Sequence, residues 1–156
     1  MKTNAARFLE KLKIPYELWE YKVNEADLSA EHAAREMGQP LEQVFKTLVI
    51  RGDKTGILVA SIPGGAELDL KALASLSGNK KVVLVHLKEI KALTGYIRGG
   101  VSPLGMKRNY PIYIDECAFQ FPFILISAGV RGKQLKINPN DLLKSSQLIP
   151  GKLTLN

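Results

Sequence analysis

The run Val44-Phe45-Lys46-Thr47-Leu48-Val49-Ile50 puts a lysine where an apolar side chain belongs. Alternate residues of a strand share a face, so Val44, Leu48 and Ile50 point together and Lys46 points with them. Burying an unpaired ammonium is expensive, or forces it to give up its proton. Arg51-Gly52-Asp53-Lys54-Thr55-Gly56 has turn composition, and the apolar run Ile57–Ile62 follows it, so an antiparallel hairpin is expected. Two placements stay open for Lys46: a sheet edge, where its stem lies on the sheet and its head reaches water, or a polar cavity that needs a cation.

The rest of the chain supplies elements for such a sheet to pack against. Thr3 caps a first helix carrying Ala5, Phe8, Leu9 and Leu12, which stops before Pro15. Tyr16 to Tyr21 alternates as a strand, with Trp19 and Tyr21 on one face. Ser29 opens a short helix through Ala30, Ala33, Ala34 and Met37 that Gly38 ends, and Asp69 opens another through Leu70, Leu73, Ala74 and Leu76 that Gly78 ends. Lys81–Val85, Tyr110–Asp115 and Phe121–Ser127 read as strands, Leu87–Thr94 as a helix, and Asn138-Pro139 as the cap and first residue of a last one. Strands and helices alternate without a strict βαβ rhythm. The expected fold is therefore α+β: a mixed sheet of roughly seven strands with helices around it.

Two stretches resist any regular assignment. Gly95 to Gly105 holds four glycines and a proline, and Ala128-Gly129-Val130-Arg131-Gly132-Lys133 is a basic turn hinged on two glycines. Glycine-rich backbone lets N–H groups converge on a phosphate, a carboxylate or a developing oxyanion, and Lys46 could supply the charge. An edge lysine with two ordinary turns fits the same pattern, so the residues alone leave function and scaffold evenly balanced.

Composition narrows the chemistry. The 156 residues suit one domain spanning 1–156, with no linker, repeat or span long enough to cross a bilayer, and a cytoplasmic location is expected. Lysine and arginine number 22 against 15 acidic residues, a formal net charge of +7, which favours an anionic partner such as nucleic acid. Two histidines and one cysteine leave a zinc site little to draw on, and no metal or cofactor is expected. His32 reads as a surface histidine, His86 as a strand-end one, and Cys117 as a small packed hydrophobe. Gly100-Val101-Ser102-Pro103-Leu104 narrowly misses the nucleophile elbow of a serine hydrolase, because Leu104 takes the place of the last glycine.

Taken in order, Gln43 to Leu48, Leu68-Asp69-Leu70-Lys71, Gly95-Tyr96 with Gly99 to Gly105, and Ser127-Ala128-Gly129 with Arg131-Gly132 resemble the YbaK/EbsC-like aminoacyl-tRNA deacylases, relatives of the editing domain of bacterial prolyl-tRNA synthetases. The resemblance spans nearly the whole chain. It implies a mixed, partly barrel-like sheet, and hydrolysis of the ester joining a wrong amino acid to tRNA(Pro), chiefly cysteine. It implies catalytic roles for Lys46, Gly100 and Ser102, and substrate contacts from Tyr21, Thr47, Gly99, Ser127, Gly129 and Arg131. An aminoacyl ester is already activated, so positioning and oxyanion stabilisation suffice. For a cysteinyl ester the resemblance implies that the substrate thiol attacks its own carbonyl and leaves as a thiolactone. The chain departs from some relatives at Gln134, a position near the implied pocket where they carry an acid.

Expected partners are aminoacylated tRNA(Pro) and prolyl-tRNA synthetase, with no membrane. A deacylase for another small amino acid, such as alanine on tRNA(Pro), and a non-catalytic module that captures the tRNA end are the alternatives. A whole synthetase is not expected at this length.

Overall fold

The computed structural model describes residues 2–144 and 148–155. Thr3 Oγ1 accepts from Ala6 N–H and opens α1 (Asn4–Lys11), which buries Ala5 and Leu9 completely. A short strand β1 (Glu17–Glu20) follows, then α2 (Ala30–Met37), whose cap Ser29 accepts from His32 N–H at 3.2 Å. The expected hairpin is β2 (Phe45–Gly52) and β3 (Gly56–Pro63), antiparallel along its whole length. Buried Asn79 fixes its turn from outside: its Oδ1 accepts from Lys54 and Thr55 N–H at 2.8 and 3.0 Å, and its side chain lies against Gly52, where any Cβ would collide with it.

After α3 (Leu70–Ser77), capped by Asp69, come β4 (Val82–Leu84), a 3₁₀ turn at Leu87–Glu89 and α4 (Ile90–Thr94). The second half supplies β5 (Ile112–Asp115), a 3₁₀ turn carrying Cys117, β6 (Ile124–Ser127), β7 (Lys133–Ile137), α5 (Pro139–Leu142) and β8 (Leu148–Gly151). The described residues thus hold eight strands where about seven were expected. β8 is the addition. It carries Pro150, which cannot donate to a ladder and so masks the strand in the sequence, and it pairs only with β5, at the sheet's edge.

The strands form two sheets. One runs β4-β2-β3-β5-β8, antiparallel through β3 and parallel beyond it; the other is the antiparallel trio β1-β7-β6. The main core lies between them: Phe45, Val59, Ile112 and Ile114 from the larger sheet meet Ile124, Ile126, Leu135 and Ile137 from the smaller, and Leu9 of α1 packs against the same cluster. The larger sheet's other face, with Ile50, Leu58 and Ile62, packs on Leu73 of α3. α2 covers the outer face of the trio, where Ala34 meets Val44 and Leu125. The sheets join at one corner, through a parallel bridge between Val44 and Leu125, so the barrel-like arrangement stays open. Inside it the buried Asp115 carboxylate accepts from Leu153 N–H at 2.8 Å and Cys117 N–H at 3.1 Å, holding the C-terminal segment to β5.

Candidate active site

The corner where the sheets join leaves part of β2 without a neighbour. β4 covers only Ile50 to Gly52, with Val85 N–H reaching the Val49 carbonyl at 3.1 Å, and the ladder bridge to β6 is made by Val44, just before β2 begins. Between those limits the edge of β2 opens into a cavity of about 280 Å³. Both placements left open for Lys46 therefore hold at once. It lies on an uncovered edge and it lines a cavity. Val44, two residues before Lys46 and so on its side of the extended chain, packs against Ala34 of α2 and also lines the cavity.

Three walls complete the cavity. α2 and the segment before it contribute Leu28, Ser29, Ala30 and Ala33; the smaller sheet contributes Ser127 and Gln134; the glycine loop contributes Arg98, Gly99 and Val101. Leu84 and Leu87, 55% and 62% exposed, form an apolar rim. Tyr21 enters from the end of β1, tied by its N–H to Gly132 O at 2.9 Å and with its ring edge-on to His32 at 6.1 Å. His32, read as a surface histidine, is partly exposed, and its Nε2 lies 2.9 Å from Lys22 O.

Of the residues singled out in the sequence, Lys46, Thr47, Tyr21, Gly99 and Ser127 line the cavity together. Gly100, Ser102, Gly129 and Arg131 stand one layer back. Ser102 is fully buried, and its hydroxyl accepts from Leu104 N–H at 3.3 Å within the loop. Gly100 is where two loops touch: a Cβ there would meet Val130 Cα at 3.0 Å and Arg131 N at 3.1 Å. Arg131 binds the loop to the segment before α2, donating from Nε to Arg98 O at 2.9 Å and from Nη1 to Glu25 at 2.6 Å. Gly129 has φ +102°, a conformation that side-chain-bearing residues rarely adopt, and lies against the Tyr96 ring. Tyr96 in turn donates to Leu104 O at 2.7 Å, and burial pushes its hydroxyl up to about 12. Ser127 Oγ accepts from Gly129 N–H at 3.1 Å, which leaves its proton free for the cavity.

Sequence reasoning did not single out Arg98, and it set Gln134 near the pocket only through the resemblance. Arg98 is the one cation inside the glycine loop, a signal that was present. Gln134 enters because it stands opposite Ser127 in the β6–β7 ladder, a register fixed only once the strands pair. Electrostatically the lining is lopsided: Lys46 and Arg98 are its cations, and no aspartate, glutamate, histidine or cysteine belongs to it among the described residues. Its remaining polar groups are hydroxyls and the Gln134 carboxamide. Such a lining can bind anions, orient an ester and stabilise negative charge on its carbonyl oxygen. Among the described residues no group of three or more His, Cys, Asp or Glu side chains could hold a metal ion, and no helix is long and apolar enough to cross a membrane. Cys117 lies outside the cavity, its thiol pushed up to about 12 by burial and by the Asp115 carboxylate.

Known proteins resemble this chain in sequence and fold. The family described as "Aminoacyl-tRNA editing domain" matches residues 25–145, which take in every cavity residue except Tyr21. Across 142 residues, 91% of this chain and 87% of the relative, the sequence is 52% identical to the Enterococcus faecalis protein described as "Putative Cys-tRNA(Pro)/Cys-tRNA(Cys) deacylase EbsC". A proline–tRNA ligase of a Sulfurihydrogenibium species is 31% identical over 65% of this chain, which is 17% of the ligase. The solved chain described as "Crystal structure of a putative trans-editing enzyme for prolyl tRNA synthetase" superposes with a TM-score of 0.85 at 26% identity, covering 100% of this chain and 99% of that one. The chain belongs to the aminoacyl-tRNA editing domain family.

Proposed function

We propose that the protein is a trans-editing deacylase that removes cysteine from tRNA(Pro), with residues 1–156 acting as one editing domain. The observation that carries this reading is the cavity lining: cations and hydroxyls surround the space, and no aspartate, glutamate, histidine or cysteine lies among its described residues to activate a nucleophile. A substrate that brings its own nucleophile suits such a site. The relative named as a Cys-tRNA(Pro)/Cys-tRNA(Cys) deacylase, at 52% identity, supports the same substrate.

In this mechanism Lys46 and Arg98 hold the phosphate and hydroxyl groups of the 3′-terminal adenosine. The backbone at Gly99 lies beside the ester, Gly100 N–H being taken by Ile97 O at 2.9 Å, and Tyr21, Thr47 and Ser127 orient the aminoacyl group. Ser102, Gly129 and Arg131 act through the loops they fix. The cysteine thiol attacks the ester carbonyl; the new C–S bond forms, the C–O bond to the ribose breaks, and the thiol proton ends on the ribose oxygen. Lys46, held beside the ester by its grip on the terminal adenosine, supplies the positive charge that stabilises the tetrahedral state between. The amino acid leaves as a thiolactone, which water opens to free cysteine. Association with prolyl-tRNA synthetase, and cytoplasmic action, belong to the same proposal, since mischarged tRNA(Pro) forms on that enzyme.

Purified protein incubated with Cys-tRNA(Pro) and with Ala-tRNA(Pro), each labelled in the amino acid, tests this directly. Rapid release of cysteine, slow release of alanine and capture of the thiolactone by an added amine are expected. Equal release of both amino acids would reject the thiol mechanism, and binding without release would mark a module that only captures the tRNA end.

A further inference from the structure

Gln134 is 6% exposed, yet it lines the cavity, and its Oε1 is buried without a hydrogen-bond partner among the described residues. Such an orphaned oxygen destabilises the empty protein, since buried polar groups in folded chains are almost always paired. Because Gln134 is a lining residue, a ligand in the cavity is the group that can supply the missing donor.

We infer that Gln134 accepts a hydrogen bond from the α-amino group of the bound aminoacyl ester, and so makes the pocket specific for α-amino acids. The inference rests on the deacylase reading for its ligand. It goes beyond that reading by naming the group that distinguishes an aminoacyl ester from any other ester. Three observations favour the amine. Nothing anionic lines the cavity among the described residues, so a protonated amine finds no carboxylate there and must be met by a neutral oxygen. Ser127, opposite Gln134 in the ladder, already accepts from Gly129 N–H and is better placed to donate than to accept. A thiol is a weak donor and must stay free to attack, which leaves the amine as the strong donor next to the ester carbonyl.

The test uses two ligands that cannot be cleaved: 3′-deoxy-3′-(L-cysteinylamino)adenosine, and its counterpart lacking the α-amine. Titration calorimetry on the intact protein measures the ratio of their affinities. The wild type is expected to prefer the aminated ligand by roughly 10- to 100-fold, the range for one hydrogen bond involving a charged or strongly polar group. Gln134→Met keeps the bulk and removes the orphaned oxygen, so it should fold at least as well and bring the ratio to about one. Gln134→Glu keeps an acceptor and should keep the preference.

A merely structural role would weaken both ligands together and leave the ratio unchanged. A wild-type ratio near one, undetectable binding of both ligands, or a Gln134→Met protein that retains the preference each overturns the inference. The deacylase reading is judged separately, by release of cysteine from Cys-tRNA(Pro). A wild type that shows the ratio but releases nothing would sink the enzyme and keep Gln134 as an amine acceptor.

Discussion

Lys46 stands opposite Ile62 in the β2–β3 ladder, a cation across from an isoleucine with no exposed surface. Partners in an antiparallel register share a face, so the sheet offers Lys46 an apolar neighbour while its partly exposed side chain lines the polar cavity. Lys46→Met keeps the stem and deletes the charge. Because no carboxylate among the described lining residues is left unpaired, folding should be unchanged to within about 1 kcal/mol. Release of cysteine from Cys-tRNA(Pro) should fall by roughly 100-fold or more, the scale for removing one charge-stabilising group. A thermal melt beside a deacylation time course separates these effects, and a folded Lys46→Met protein with wild-type turnover would remove Lys46 from the mechanism.

Gly100 makes a different demand. Its missing side chain lets the glycine loop rest on Val130 and Arg131 backbone, which cannot swing aside as a flexible side chain can. Gly100→Ala should push the two loops apart by a few tenths of an ångström, destabilising the fold by about 1–3 kcal/mol. Activity should drop further than stability explains, because Gly99 and Arg98 on the same loop line the cavity. Comparing kcat/KM with the unfolding midpoint in urea checks this, and an alanine variant with native activity would show that the loop contact does not position the substrate.

The legible parts of this fold are the ones that local chemistry decides. Ser29, Asp69 and Asn138 cap their helices as their side-chain oxygens predict, and the turn at Arg51–Gly56 joins the two strands it separates. Lys46 could be recognised as an anomaly from strand parity alone. Its setting could not, because the uncovered stretch of β2 exists only once β4 stops at Ile50 and Val44 bridges Leu125, a contact between residues far apart in sequence. Gln134 was set near the pocket by the resemblance alone, because its place beside Ser127 is a consequence of register. Ser102 shows the converse. A serine amid glycines suggests a group turned toward substrate, yet its hydroxyl is taken up by Leu104 N–H inside the loop.

Cys117, the only cysteine of the chain, offers a clean probe of the buried side of the molecule. Burial first, and then the Asp115 carboxylate, push its thiol from 9.0 up to about 12, so the reactive thiolate is scarce at ordinary pH. At pH 8 alkylation by iodoacetamide should run about 1,000-fold slower than for an ordinary thiol, and unfolding in urea should restore the normal rate. Deacylation should survive full modification of any molecules that do react, since the cavity lies elsewhere. Fast labelling of the folded protein would contradict the environment described for Cys117.

Tyr96 links the glycine loop to alkaline stability. Its hydroxyl donates to Leu104 O and Gly105 O, and burial raises it from 10.0 to about 12. The fold thus favours the neutral phenol. Below pH 10 neither folded nor unfolded chain ionises this group and its full contribution is present; between about pH 10 and 12 the unfolded chain loses the proton while the folded one keeps it, so stability falls as pH rises. Tyr96→Phe lacks both the donor and the titration. At pH 8 it should be less stable than the wild type by about 1–3 kcal/mol, with the Leu104 carbonyl left short of a partner. That gap should narrow steadily above pH 10, because only the wild type loses stability through this residue. Alkaline effects of Cys117 act on both proteins and cancel in the difference. Urea unfolding of the pair at pH 8, 10 and 11 reads the gap, and parallel curves across that range would show that the Tyr96 hydroxyl does not hold the loop.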